Sequence, residues 1–246
     1  MNKLLIICTT GLGNFINFTP TLYELKKKYK ITIVVDKRRG FFEEIKSWDL
    51  FEKVLDVKEL KTGIINKYQR VIYSIFSEYN IDPNIVKRLE KKATYIKLRN
   101  KNMDLLETNI NLKGLNLKSK KAPFFMIKNR NIKWAKKNIN GKYIVLSPGC
   151  NNTKRWIKKR WEDEKWLQLS KELNKRKIKH FFIGRQSDYS KYLFSEINKK
   201  FIGIGLGKTA SIIAGSYLFI GIDGGLAHLS SAVNTKSLVL FGPANP

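Results

Sequence analysis

The stretch Tyr217-Leu218-Phe219-Ile220-Gly221-Ile222-Asp223-Gly224-Gly225-Leu226-Ala227-His228 decides how the rest of the chain is read. An apolar run of strand length meets an acid and two glycines, and a helical pattern opens directly after them. This is the turn of a βα unit in a parallel sheet. Outward from it, apolar runs alternate with amphipathic Lys-rich segments along all 246 residues. Strands are expected at 3–8, 31–35, 53–57, 70–75 and 94–98, and again at 143–147, 180–183, 201–204, 217–222 and 237–241. Thr19-Pro20 reads as a cap followed by proline at the first helical position, so a helix is expected to begin there. Residues 161–164, Trp-Glu-Asp-Glu, place acids in the first turn of a helix that runs to about Arg176. Residues 100–128 have weak periodicity and contain Pro123, which sets a domain boundary near 125. The expected class is α/β, with Rossmann-like domains at 1–125 and 126–246 whose parallel sheets face an interdomain cleft.

Composition restricts the function without choosing it. Hydrophobic residues make up 43% of the chain, which excludes global disorder. Lys and Arg number 48 against 20 acids, a net charge of +28. That excess suits a nucleic-acid binder or an enzyme working on anionic glycolipid at a membrane face. It also suits the residue usage of an AT-rich genome. Two cysteines and two histidines give neither a disulfide framework nor a zinc set, and the expected compartment is a reducing cytoplasm. No apolar stretch approaches the roughly 18 residues of a membrane span, and the short run after Met1 is not a signal sequence.

Three loops carry candidate chemistry. Thr9-Thr10-Gly11-Leu12-Gly13-Asn14 follows the first strand. Its Gly11 and Gly13 either admit a ligand to the backbone or only make a tight turn. Asp36 mimics the acid of a dinucleotide fingerprint, but Ile16 stands where that fingerprint needs its third glycine, which weakens a dehydrogenase reading. Residues 147–156, Ser-Pro-Gly-Cys-Asn-Asn-Thr-Lys-Arg-Trp, end on Lys154 and Arg155, which either reach a diphosphate or are solvated. In the third loop, Gly224 and Gly225 expose N–H groups at the positive end of a helix, and Asp223 can accept from sugar hydroxyls. His228 lies one helical turn further on, as a site residue or as a structural hydrogen bonder.

Together with Thr19-Pro20-Thr21-Leu22 and Phe241-Gly242-Pro243, these blocks stand in an order that resembles glycosyltransferase family 9, the ADP-heptose:lipopolysaccharide heptosyltransferases and their relatives. The resemblance implies a GT-B fold, with the acceptor on the first domain and the nucleotide sugar on the second. It implies an inverting, metal-independent sugar transfer, with heptose from an ADP-linked donor as the expected sugar and no other cofactor. The acceptor would be lipopolysaccharide or a related anionic glycan, met at the inner face of the membrane, and no nucleic-acid partner is expected. By position, Lys154 would bind donor phosphate, Gly224, Gly225 and Leu226 would hold phosphate through backbone N–H groups, and Asp223 and His228 would face the sugar. Gln186 falls near the place of an acid that contacts ribose, a loose match. Asn14 stands where many relatives carry an aspartate proposed as general base, and an amide cannot take a proton as a carboxylate does. Relatives also continue past Phe-Gly-Pro, so a truncated or unusually short chain is expected. A catalytically impaired nucleotide-sugar-binding relative is the second reading, and a basic nucleic-acid binder the third.

Overall fold

The computed structural model describes residues 1–74, 81–96, 107–149, 159–198 and 200–242. They form two compact units, Met1–Met126 and Ile127–Pro246.

In the first unit, strands β1 (Asn2–Ile7), β2 (Tyr29–Val35), β3 (Lys53–Asp56), β4 (Arg70–Ser74) and β5 (Ala93–Ile96) pair in parallel in the order β3-β2-β1-β4-β5. Leu4 to Ile7 are fully buried, as expected for a central strand covered on both faces. One face packs Leu5, Ile7, Val34, Val71 and Tyr73 against Leu89 of α4 (Pro83–Lys92). The helix α1 (Leu12–Lys26) buries Phe15, Ile16, Phe18, Leu22 and Leu25. Beside it, Trp48 contacts Phe15, Phe124 and Phe125, and its indole N–H donates to the Met126 carbonyl at 3.1 Å. Short helices α2 (Phe42–Ile45) and α3 (Thr62–Asn66) complete the connections. The weakly periodic stretch is not a bare linker, because α5 (Glu107–Gly114) forms inside it and packs on α1.

One expectation is corrected. The first helix does not start at Pro20 but at Leu12, and it carries Pro20 in its interior. Proline has no N–H for the Ile16 carbonyl one turn back, which would leave that oxygen buried and unpaired. The Thr19 hydroxyl donates to it instead, at 2.7 Å, and accepts from the Phe124 N–H at 3.0 Å. A dipeptide that reads as a cap is thus a repaired break within one helix.

Asp36 is also spoken for. Its carboxylate, 3% exposed, accepts from the Arg38 backbone N–H and from Nε and Nη2 of the same arginine. The Arg38 guanidinium holds this carboxyl below its ordinary value of 3.8, against the opposing effect of burial. Its contribution to stability is therefore complete above the ordinary carboxylate range and lost as pH falls through the lowered value. Asp36→Asn is expected to destabilise the chain by about 1.5–3 kcal/mol at neutral pH. Urea unfolding measures this, and the gap from the parent should close toward low pH.

The second unit opens with α6 (Asn129–Asn138). Its sheet contains β6 (Ile144–Ser147), β7 (His180–Gly184), β8 (Phe201–Ile202), β9 (Leu218–Ile222) and β10 (Ser237–Leu240). All are parallel, in the order β10-β9-β6-β7-β8, the mirror reading of the first sheet's order. Helices α7 (Asp163–Lys175) and α8 (Lys191–Glu196) cover one face through Trp166, Leu173 and Leu193, against Ile144, Leu146 and Phe182. The other face carries α6 and α9 (Leu206–Gly215), joined by the aromatic chain Trp134–Phe201–Phe181–Tyr143. The Tyr143 hydroxyl donates to the Ile212 carbonyl of α9 at 2.8 Å.

Candidate active site

Parallel sheets bind ligands beyond their carboxyl ends, where strand order reverses. In the second sheet that point lies between β6 and β9, because the chain runs outward from β6 through β7 to β8 and then crosses back to β9. The loops after β6 and β9 flank the reversal. Asp223 is the first residue beyond β9, and its N–H donates to the Leu240 carbonyl at 3.0 Å, which fixes the acid against the end of β10. Gly224 caps α10 (Gly225–Ala232) without any side-chain hydrogen bond. The N–H groups of Gly225 and Leu226 belong to the first turn, where no intrahelical acceptor exists.

The structure adds a residue that the sequence reading passed over. Lys159, with its side chain 11% exposed, donates to the carboxylate of Asp223, itself 20% exposed. Neighbouring residues deliver it there. Arg160 donates to the Asp188 carbonyl at 2.7 Å, and the Trp161 ring meets Trp166 edge to face at 5.1 Å. A lysine directly followed by an arginine anchor and a tryptophan anchor has a fixed backbone from which to reach Asp223. The signal was present as a cation directly ahead of Arg160-Trp161 and the acidic start of α7, but nothing local tied it to Asp223, 64 residues away.

His228 joins this pair. Burial pushes its imidazole below the ordinary 6.5, the Asp223 carboxylate opposes that shift and the Lys159 ammonium adds to it. At neutral pH the ring is therefore uncharged and available as a hydrogen-bond donor or acceptor. The second histidine is structural: His180 bonds Ser170 at 2.7 Å and the Ile178 carbonyl at 3.1 Å.

Gly149, just beyond β6, is seated on Asp188 of the turn after β7. A methyl group at Gly149 would stand 2.3 Å from Cβ of Asp188 and 2.7 Å from its carbonyl oxygen, so only glycine allows this approach. Asp188 in turn accepts from Arg185 Nη2 at 2.9 Å. Gln186 is exposed at the start of the short turn after β7, and the ion-paired acid there is Asp188. Lys154 and Arg155 lie outside the described residues. In the first unit, Gly11 precedes α1 in extended conformation, and a methyl group added to it would meet no atom within 4 Å, so the loop has room beside it. Gly13 and Asn14 sit half-buried in the first turn of α1, at the carboxyl end of β1 and so at the first sheet's own reversal point. Among the described residues, no group of three or more His, Cys, Asp or Glu side chains is placed to hold a metal ion.

An acid, a half-buried lysine, a neutral imidazole and the start of a helix thus converge where a parallel sheet binds its ligand. The model of glycosyltransferase family 9 (heptosyltransferase) matches residues 82–246. This chain belongs to glycosyltransferase family 9. The two parallel sheets are those of the family's GT-B fold class. A family 9 glycosyltransferase from Veillonella parvula has the same fold at 17% identity, with a TM-score of 0.75 over 100% of this chain and 83% of that one. The ADP-heptose lps heptosyltransferase II of E. coli matches at 14% identity and a TM-score of 0.73, over 99% of this chain and 86% of that one. The E. coli heptosyltransferase WaaC with ADP-2-deoxy-2-fluoro heptose matches at 17% identity and a TM-score of 0.63, over 99% and 90% respectively. A comparison with curated protein sequences finds no match.

Proposed function

We propose that this family 9 glycosyltransferase moves heptose from an ADP-linked donor to a lipopolysaccharide-type anionic glycolipid, with inversion and without a metal. The observation that carries the reading is the Lys159–Asp223 pair beside the start of α10, with His228 held neutral next to it. In this reading the second unit holds the donor. An acceptor hydroxyl oxygen attacks the anomeric carbon and loses its proton to solvent, the bond to the diphosphate breaks, and the diphosphate leaves with the electron pair. Lys159 and the N–H groups of Gly225 and Leu226 stabilise that departing charge, with Lys154 and Arg155 as further cations. Asp223 accepts from sugar hydroxyls while it orients Lys159. The first unit receives the acceptor beside Asn14, with Gly11 and Gly13 as phosphate-binding glycines, and the protein works at the cytoplasmic face of the inner membrane.

The donor class is supported by two neighbours, E. coli heptosyltransferases described with ADP-heptose or an ADP-linked analogue. Asn14 favours a second reading, a nucleotide-sugar-binding relative with impaired turnover, since its amide cannot serve as a base. One experiment separates the two. Thermal-shift measurements with ADP, UDP and GDP and their sugars should show the largest rise with ADP-linked ligands, because a ligand that binds only the folded state raises Tm. Turnover of ADP-heptose in EDTA then decides for the enzyme. Binding without turnover leaves the impaired relative, and turnover restored only by magnesium or manganese contradicts the metal-independent mechanism.

A further inference from the structure

The excess charge is not spread evenly. No acid stands between Glu107 and Glu162, while fifteen lysines and arginines do. After Glu196 the sole acid is Asp223, which is committed to Lys159. The fold turns this sequence bias into a difference between the two faces of the second sheet. On the α7 and α8 face, acids and lysines alternate and pair, as Lys165 with Glu162 at 2.9 Å and Lys175 with Glu172 at 2.7 Å. On the opposite face, α6, α9 and α10 contain no acid at all.

Helix α6 concentrates the charge. Asn131 and Ala135 are buried against the unit, while Arg130, Lys133, Lys136 and Lys137 are all exposed. Among the described residues, none of these four has an acidic partner. Lys208 of α9 extends the cationic surface, its ammonium 4.6 Å from the Trp134 ring centre. A lysine-rich face whose charges are only for solubility is normally interspersed with acids, as α7 is. Four cations on ten residues of one helix, with a tryptophan at their edge, instead match a plane of anionic headgroups.

We propose that the exposed face of α6, with Lys208, docks the second unit on an anionic phospholipid bilayer. The proposal deepens the glycolipid-acceptor reading and rests on it for why an enzyme would sit there. Because α6 lies on a flank of the sheet, a bilayer against it leaves the carboxyl ends of β6 and β9 open to a donor. A membrane is favoured over a duplex because the cations share their face with the Trp134 ring, a side chain suited to the headgroup level of a bilayer.

The test is sedimentation of the full chain with vesicles of phosphatidylcholine alone, or with phosphatidylglycerol added. Two variants with equal loss of charge are compared. One is Arg130→Gln/Lys133→Gln/Lys136→Gln/Lys137→Gln on α6, and the other is Lys165→Gln/Lys171→Gln/Lys175→Gln/Lys191→Gln on the opposite face. Each basic residue near an anionic surface contributes about fivefold in partitioning. The α6 variant, with four such residues removed, should therefore bind phosphatidylglycerol vesicles several hundredfold more weakly, on the order of 600-fold, and the control variant less than tenfold. Equal losses in the two variants would reduce the effect to net charge and overturn the proposal. So would binding indifferent to phosphatidylglycerol, or an α6 variant that keeps vesicle affinity and loses affinity for duplex DNA. ADP binding by calorimetry, unchanged in the α6 variant, keeps the two readings apart. If the parent binds anionic vesicles through α6 but no nucleotide diphosphate, the transferase reading falls and the docking face stands.

Discussion

Lys159→Met is expected to lower kcat/KM for ADP-heptose by about 10²–10³-fold, because it removes a cation that the proposed mechanism sets against the departing diphosphate. Methionine keeps most of the apolar length of the lysine stem, and Arg160 and Trp161 keep their own anchors, so the loss should appear in turnover and ADP affinity more than in folding. A second readout isolates the electrostatics. Lys159 opposes protonation of His228 and Asp223 favours it. With the lysine gone and the carboxylate left behind, the His228 pKa should rise toward its ordinary value, with burial still holding it below. The chain has only two histidines, so the ring signals followed by NMR against pH are readily separated. A parent-like ADP affinity together with an unmoved His228 would remove Lys159 from the site. A raised His228 with unchanged rates would keep the pair but deny it a part in transfer.

Gly149→Ala is expected to carry the other large effect, this time on stability. The added methyl would meet Cβ, the carbonyl carbon and the carbonyl oxygen of Asp188 at 2.3–3.0 Å. None of these is the tip of a flexible side chain, so the two loops must part. Forced overpacking of this kind costs typically 1–3 kcal/mol, a Tm lower by roughly 3–10 °C for a unit of this size. Moving Asp188 also disturbs the carbonyl that anchors Arg160, so Lys159 should lose its position and ADP should bind more weakly. Gly11→Ala is the matched control: its methyl meets nothing within 4 Å and its backbone is extended, so stability should stay within about 0.5 kcal/mol. Equal melting temperatures for Gly149→Ala and the parent would show that Gly149 is not seated on Asp188.

Much of this was legible without coordinates. Strand and helix order follow from apolar periodicity, which is written into neighbouring residues, and each of the ten expected strands has its counterpart in the sheets. The Asp223-Gly224-Gly225 turn was legible for the same reason, since a strand, a tight turn and a helix start are local events. Local rules misled at Thr19-Pro20. The dipeptide satisfies every condition for a helix start, and only the Thr19 hydroxyl on the Ile16 carbonyl, held by Phe124 from far along the chain, makes it a helix interior. Asp36 likewise fits a fingerprint by position, yet the structure gives its carboxylate to Arg38.

Residue order was enough for the class of the fold, the family and the turn that opens α10, because these rest on periodicities and spacings within a few residues. Which groups meet was settled by tertiary packing. Lys159 reaches Asp223 because β9 is inserted beside β6 by a crossover, and Gly149 meets Asp188 because β7 is the neighbour on the other side. Strand order is a property of non-local pairing, and no local pattern encodes which strands become neighbours. The same holds for charge: the acid-free stretch is visible in the sequence, but only the packing of α6 and α9 on one side of the sheet gathers it into a face.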